Sequence, residues 1–149
     1  MESLYDPKGN KNILNRIDQL TPMTLSQWGV MTVSQMMQHC QEPIKMVFGI
    51  IHVKPHWKSY FFAKSLKKKL TSPKLFHRDQ NAIQEFIVKR EPNFEEARSG
   101  LKDLVAIFAK DGHAAIKVSR HPLMGEMTHA EWDLLQWKHL DYHLKQFGV

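Results

Sequence analysis

The sequence of 149 residues predicts an all-α fold, a bundle of four amphipathic helices. Three observations support this. Apolar residues recur at three- and four-residue steps in four segments, strand-like alternation is scarce, and start or stop signals bound each segment. The single cysteine excludes an intramolecular disulfide, and no apolar run approaches the roughly 20 residues of a membrane span. We expect one domain over residues 1–149.

The first two predicted helices precede residue 50. The second begins at Thr32, which forms a capping box with Gln35, and it ends before Gly49. The first is short and is stopped by Pro22. Its apolar face consists of Ile13, Leu14, Ile17 and Leu20.

The last two predicted helices occupy the C-terminal third of the chain. Asn93 can cap the third helix, and Gly112 ends it. Thr128 and Glu131 make a capping box for the fourth helix, which Gly148 closes. These local signals predict the ends of both helices.

A long basic connection joins the second and third predicted helices and accounts for the net charge of +6. Residues 54–78 hold eight of the 21 basic residues and none of the 15 acidic ones, so the remainder has a net charge of −2. Trp57, Phe61 and Leu70 could line a short extra helix here. We expect a covering helix with its lysines in water and its aromatic side chains in the core. The basic residues are Lys54, Lys58, Lys64, Lys67, Lys68, Lys69, Lys74 and Arg78.

The basic connection also suggests an alternative function. Aromatic residues lie among its lysines, so a non-enzymatic binding protein could use residues 54–78 to contact single-stranded nucleic acid or an anionic membrane. No recognisable nucleic-acid motif supports this alternative, and we do not expect nucleic acid as the partner. The aromatic and histidine residues are Trp57, Tyr60, Phe61, Phe62, Phe76 and His77.

Two of the nine histidines stand out by their position on the fourth predicted helix. On a helical wheel of about 100° per residue, His139 and His143 lie near the centre of the buried face, one turn apart. Two histidines at this spacing can ligate one metal ion. The alternative is a pair of core histidines that bond to backbone carbonyls or to each other. Five others lie in loop-like sequence and are expected at the surface: His52, His56, His77, His113 and His129.

A third metal ligand would have to come from elsewhere in the chain. His39 is the best candidate because it lies within the second helix, although it falls about 110° from the centre of the apolar stripe. A structural or surface role is the alternative for His39. Cys40 lies on the apolar stripe, which favours packing over ligation.

The fourth predicted helix carries further polar residues that could support a site at the two histidines. Gln136 and Tyr142 flank the two histidines, so they could bond to a ligand, although packing is the simpler explanation. Asp141 falls on the opposite side of the wheel from the histidines, which excludes it as a partner for them within one chain. Asp133 points away from the histidines as well.

Three stretches resemble the DinB-like superfamily of metalloenzymes, in a branch known only as a domain of unknown function. The first reads W-G-x-M-T-V-x-Q-M-x-x-H, from Trp28 to His39. The second, H-P-L-M-G-E-M-T-x-x-E-W, covers residues 121–132, and the third, K-H-L-D-Y-H-L-K-Q-F-G, covers residues 138–148. The resemblance extends over most of the chain, chiefly residues 12–50 and 93–149.

The resemblance implies a four-helix bundle in which His39, His139 and His143 hold one divalent transition metal, most commonly zinc or nickel. It also implies a possible homodimer, and its fold is similar to that of bacillithiol and mycothiol S-transferases. We therefore expect a thiol S-transferase or a hydrolase with a small-molecule substrate, for which a low-molecular-weight thiol is a candidate. His121 lies in a resembling loop and is a candidate catalytic residue, with a structural role in that loop as its alternative.

The start of the chain carries no targeting signal that we recognise. Residues 1–10 include Glu2 and Asp6 and lack an apolar stretch, so we expect no signal peptide. The single cysteine fits a reducing compartment. We therefore expect a cytoplasmic location.

Overall fold

The computed structural model describes residues 3–55, 57, 59–70 and 84–149. Most of these residues are helical, which confirms the predicted all-α class. The described part contains five α-helices and two short 3₁₀ turns, at Gln84–Phe86 and Gly112–Ala115. The helices are α1 at Pro7–Asp18, α2 at Val33–Val47, α3 at Ser59–Leu70, α4 at Phe94–Asp111 and α5 at His129–Gln146.

Capping residues define the helix ends largely as predicted. Thr32 and Thr128 both form complete capping boxes, and Asn93 caps α4 through a bond from the Glu96 amide. The first helix differs, because it begins at Pro7 and ends at Asp18, before the apolar Leu20. The cap at Asp6, whose carboxylate accepts a hydrogen bond from the Gly9 amide at 3.1 Å, accounts for the start of the helix at Pro7.

Four helices surround the apolar core. α1 packs against α4 and α5, and α2 packs against the same two helices. The core lies between them and includes Ile13, Met36, Leu101, Phe108, Trp132 and Leu140. Within the described residues, no helix is long and apolar enough to cross a membrane.

The third helix of the structure, α3, lies in the basic connection and packs against β2 and α5. Its packed face carries Ala63, Leu66 and Lys67, which are half-buried, whereas Phe61 and Phe62 are 76% and 58% exposed. The prediction that these aromatic rings lie in the core was therefore wrong, and so was the proposed apolar stripe through Phe61. The spacing of residues 63, 66 and 67 selects the other side of the helix.

The remaining residues of the basic connection are described only in part. Trp57 is 64% exposed, and Lys67 forms a 3.0 Å ion pair with Glu131 at the start of α5. Lys74, Phe76, His77 and Arg78 lie outside the described residues, as do His56 and Lys58.

A small antiparallel hairpin, which the sequence analysis did not predict, precedes α5. Strand β1 is Arg120–His121 and strand β2 is Gly125–Glu126, with His121 opposite Gly125. Two-residue strands are too short to show an alternating pattern in sequence. Gly125 adopts a φ of 69°, a conformation that side-chain-bearing residues rarely adopt, and this allows the tight connection.

Helix α5 is buried on two sides, which the sequence analysis did not anticipate. Asp133 and Asp141 point away from the histidines as predicted, but both are buried. The Leu4 amide donates to Asp133 at 2.6 Å, and Arg16 forms a 2.9 Å ion pair with Asp141. The N-terminal segment and α1 therefore cover the side of α5 that its charges would assign to solvent.

We expect the Arg16–Asp141 pair to stabilise the fold. Among the described residues, Arg16→Met leaves the buried carboxylate of Asp141 with Lys145 as its remaining ionic partner, so the free energy of unfolding should fall by about 2 kcal/mol. Denaturant titration measures this loss. The control is Lys102→Met, which removes a more exposed ion pair with Asp18 and should change stability by less than about 0.5 kcal/mol. Equal effects of the two substitutions would contradict the assignment.

Candidate metal centre

Three histidine side chains from two helices meet between α2 and α5. His39 comes from α2, and His139 and His143 come from α5. The Nε2 atoms of His39 and His139 lie 3.2 Å apart, and each of the three rings offers a nitrogen within 4.8 Å of the others. This group could hold a metal ion. The structure therefore brings together the three residues that the sequence motifs had singled out.

The packing of α2 explains why a residue on the flank of its apolar stripe reaches the centre. α2 contacts both α4 and α5, so its buried surface is wider than a single apolar stripe. His39 lies on the side that faces α5 and is 7% exposed. On α5, His139 and His143 are four residues apart, which places both rings on one side of the helix.

Hydrogen bonds orient two of the rings. The Nδ1 atom of His39 lies 2.8 Å from the carbonyl oxygen of Phe86, and the Nδ1 atom of His143 lies 2.8 Å from Oε1 of Gln146. Carbonyl oxygens only accept hydrogen bonds, so both Nδ1 atoms carry the proton. In the neutral rings the lone pairs are then on Nε2, the arrangement found in metal-binding histidines.

The amide that orients His143 is itself held in place. Nε2 of Gln146 donates to the carbonyl oxygen of Trp28 at 2.6 Å. This approach requires a glycine at position 29, since a Cβ on Gly29 would lie 2.5 Å from Nε2 of Gln146. Gly29 also has a φ of 81°. The Trp28–Gly29 pair of the first motif therefore supports the site from a distance.

His139 differs from the other two histidines. Its Nδ1 atom is buried and has no hydrogen-bond partner among the described residues. Its Nε2 faces that of His39, whose proton is on Nδ1. Either His139 donates its Nε2 proton there and leaves Nδ1 unpaired, or two lone pairs face each other at 3.2 Å. A cation bound by the Nε2 atoms would remove that repulsion.

Burial keeps all three imidazoles neutral. It lowers the pKa of His39 below its ordinary value, and it lowers the pKa of His143 to about 4. The pKa of His139 is lowered well below its ordinary value, by burial first and then by repulsion from the other two rings. Neutral imidazole is the form that binds metals, and three protein ligands with a further position free are typical of catalytic zinc sites. The residues present thus fit a divalent transition metal.

His121 lies in β1, and its structural role is visible. Its Nδ1 accepts hydrogen bonds from the amides of Leu123 and Met124 at 3.0 and 3.1 Å, which holds the hairpin connection. The ring contacts Trp132 at 5.4 Å between centroids, seven residues or about 10 Å along α5 from His139. Burial lowers the pKa of His121 to about 4. Its catalytic role stays a prediction.

The structure also defines the surroundings of the remaining candidate residues from the sequence. Cys40 is 1% exposed, burial raises its pKa, and its Sγ contacts Sδ of Met36, so it behaves as part of the core. The Tyr142 hydroxyl accepts a hydrogen bond from Nε1 of Trp28 at 3.3 Å, and its ring lies edge-on to His143. His52, His113 and His129 are exposed as predicted.

Two supporting residues were missed by the sequence analysis. Gln146 follows His143 by three residues on α5, a spacing at which helical side chains meet, so this contact had a signal. The Phe86 carbonyl had none, because any residue type supplies the same backbone oxygen. It also lies about 47 residues from its partner in sequence, in a segment without clear periodicity.

We expect each of His39→Ala, His139→Ala and His143→Ala to remove most bound metal while the helical content stays close to that of the unmodified protein. The reason is that two remaining imidazoles hold a divalent ion far more weakly than three. Elemental analysis of untagged protein and circular dichroism measure the two properties. His113→Ala is the control, since this exposed histidine lies outside the cluster. Full metal occupancy in His139→Ala would contradict the three-histidine site.

Acid should destabilise the metal-free protein at pH values above the range in which carboxylates titrate. The unfolded chain protonates its histidines near pH 6.5, whereas folded His121 and His143 stay neutral down to about pH 4. Protonation therefore favours the unfolded state as the pH falls through this window, by about 2 kcal/mol per buried histidine at pH 5. Denaturant titrations at pH 7, 6 and 5 test this.

The control for the pH series is a pair of substitutions. His121→Gln should reduce the slope of stability against pH, because it removes one buried titrating group. His113→Gln is the matched control, because this residue is exposed and does not belong to the buried set. A stability that is constant from pH 7 to pH 5 would show that the buried histidines do not resist protonation.

Comparison with known proteins gives one match. A family model described as "Protein of unknown function (DUF1569)" matches residues 2–148. No curated protein and no solved structure matches the chain. Because the family match covers nearly the whole sequence, this protein belongs to the DUF1569 family.

Proposed function

We propose that this protein is a metal-dependent enzyme of the DinB-like superfamily, with His39, His139 and His143 holding one divalent transition metal, zinc or nickel. The observation that carries the proposal is the convergence of three buried, neutral imidazoles, two of which have their Nδ1 protons bonded to carbonyl oxygens. Because the Nδ1 protons of His39 and His143 are held by carbonyl oxygens, the Nε2 lone pairs of both rings are available to a metal ion.

The packing of the helices supports the superfamily assignment. α1, α4, α2 and α5 contact one another in that cyclic order, as in a four-helix bundle. α3 and the 3₁₀ turn at Gln84–Phe86 then belong to the long basic connection between the second and third helices of the bundle. This connection contributes to the site, because the carbonyl of Phe86 orients His39.

The ligand set suits two reactions, thiol transfer and hydrolysis. When bound, a divalent ion with three imidazole ligands has room for a water or a thiolate and lowers the pKa of either one. The chain's own residues orient the Nε2 atoms of His39 and His143, and burial keeps the imidazoles unprotonated at neutral pH. We favour a thiol S-transferase over a hydrolase, because members of the DinB-like superfamily that have an assigned chemistry resemble thiol transferases.

His121 has a defined place in this proposal. Its Nδ1 accepts two backbone hydrogen bonds, so the proton of the neutral ring is on Nε2. Nε2 can therefore donate a hydrogen bond but cannot act as a base. At about 10 Å along α5 from His139, it would contact the distal part of a substrate rather than the reacting atoms.

The alternative use of the basic segment stays a prediction. Phe61 and Phe62 are exposed near lysines, as a binding surface requires, but Lys67 is engaged with Glu131. This favours the enzyme, with α3 as a covering element beside the hairpin.

Spectroscopy of the cobalt-substituted protein distinguishes transfer from hydrolysis. Titration with cysteine, glutathione or bacillithiol should produce a thiolate charge-transfer band and release about one proton, since a coordinating thiol is deprotonated. The band should be absent in His143→Ala and present in His113→Ala.

Two results would count against a thiol transferase. If no thiol produces a band and the protein turns over an ester with a rate that rises near pH 7, it is a hydrolase. If neither thiol binding nor ester turnover is found in fully loaded protein, the enzyme proposal fails. Cys40→Ser should keep the thiolate band, because the Cys40 thiol packs against Met36 in the core and is not part of the three-histidine cluster.

A further inference from the structure

Three successive turns of α5 carry buried polar atoms without a hydrogen-bond partner among the described residues. They are Nε1 of Trp132, both amide atoms of Gln136 and Nδ1 of His139. Trp132 is fully buried and Gln136 is 1% exposed. Unpaired buried groups are rare in folded proteins, and here they are adjacent rather than scattered.

The unpaired atoms share one side of the helix. At about 100° per residue, residues 132, 136 and 139 fall within roughly 60° of one another. Residues 132 and 139 are about 10 Å apart along the axis, and Gln136 lies between them, one turn before His139. The stripe therefore extends from the three-histidine centre towards the end of α5 that His121 contacts.

The contrast with other buried glutamines indicates that Gln136 is not an ordinary packing residue. Nε2 of Gln41 donates to the Ala97 carbonyl at 2.9 Å. Gln146 uses both amide atoms, one on His143 and one on Trp28. The fold thus gives these two amides partners, whereas Gln136 has none among the residues that the structure describes. This carries a free-energy cost that a bound polar molecule would offset.

We propose that this side of α5 is the substrate subsite and that Gln136 binds an amide group of the substrate. The inference rests on the proposed metal-dependent function. An amide offers one acceptor and one donor, which match the donor and acceptor of Gln136, and its oxygen could also accept from Nε1 of Trp132. Gln136 and His139 are about 4.5 Å apart along the axis, so a substrate that reaches both would carry its amide a short chain away from its metal-binding sulfur.

A matched pair of thiols tests the subsite. N-acetylcysteamine carries an amide two carbons from its thiol, and 2-mercaptoethyl acetate replaces only the N–H with an oxygen. The cobalt-substituted protein should bind the amide at least tenfold more tightly than the ester, measured by the thiolate charge-transfer band. Gln136→Leu should bind cobalt as before and lose this preference.

The control is Gln41→Leu, which replaces a buried glutamine that has its own partner, and which should keep the tenfold preference. Thermal unfolding of the metal-free protein gives a second, independent measure. Gln136→Leu should have the same midpoint as the unmodified protein or a higher one, because it removes an unpaired buried amide.

Each contrary result has a distinct meaning. Equal affinities for the amide and the ester overturn the subsite and leave the metal-dependent function standing. A midpoint several degrees lower in Gln136→Leu also overturns it, since the amide would then be paired in the free protein. Loss of cobalt from Gln136→Leu would make Gln136 a support for His139 rather than a substrate contact. A cobalt protein that binds neither thiol overturns the subsite together with the thiol transferase assignment.

Discussion

The convergence of three uncharged imidazole rings between α2 and α5 is the interaction on which the rest of the structure depends. The Nε2 atoms of two neutral rings, His39 and His139, can lie 3.2 Å apart, whereas protonated rings would repel each other strongly in a buried site. Burial lowers the pKa of all three, which makes the close approach possible at neutral pH. The same burial that penalises protons leaves three lone pairs available to a metal ion.

Several parts of the chain serve this cluster without touching the metal position. The Phe86 carbonyl comes from the connection before α4, and Gln146 from the last turn of α5. Gly29, in the loop before α2, leaves space for Gln146 to reach the Trp28 carbonyl. A site supported from three separate segments explains why the motifs extend well beyond the histidines themselves.

Helix α5 combines two roles on opposite sides. One side carries the buried carboxylates of Asp133 and Asp141, which bind the N-terminal segment and α1. The other side carries His139 and His143 together with the unpaired amide of Gln136. Because polar residues lie on both sides, α5 is only weakly amphipathic. Its burial is explained by these specific partners together with its core residues, such as Trp132 and Leu140.

Local signals in the sequence predicted the helices and their caps, because a box such as Thr128–Glu131 acts within one turn. His139 and His143 were also predictable as a pair from their spacing. The position of His39 depended on how α2 faces α5, which spacing alone does not define, and the motif resemblance supplied it. The exposed side of α3 was assigned wrongly, because aromatic residues such as Phe61 do not by themselves indicate which side is packed. The Phe86 contact depends on a backbone oxygen and has no sequence signal.

Anomalous diffraction from crystals of the zinc- or nickel-loaded protein tests the central claim most directly. The account predicts a single strong anomalous peak between α2 and α5, with Nε2 of His39, His139 and His143 as ligands at about 2.0–2.1 Å for zinc. The Nδ1 atoms of His39 and His143 should remain on the Phe86 and Gln146 oxygens. A peak elsewhere would contradict the account. So would three rings that remain in mutual contact, with no ion between them, in crystals grown from fully metal-loaded protein.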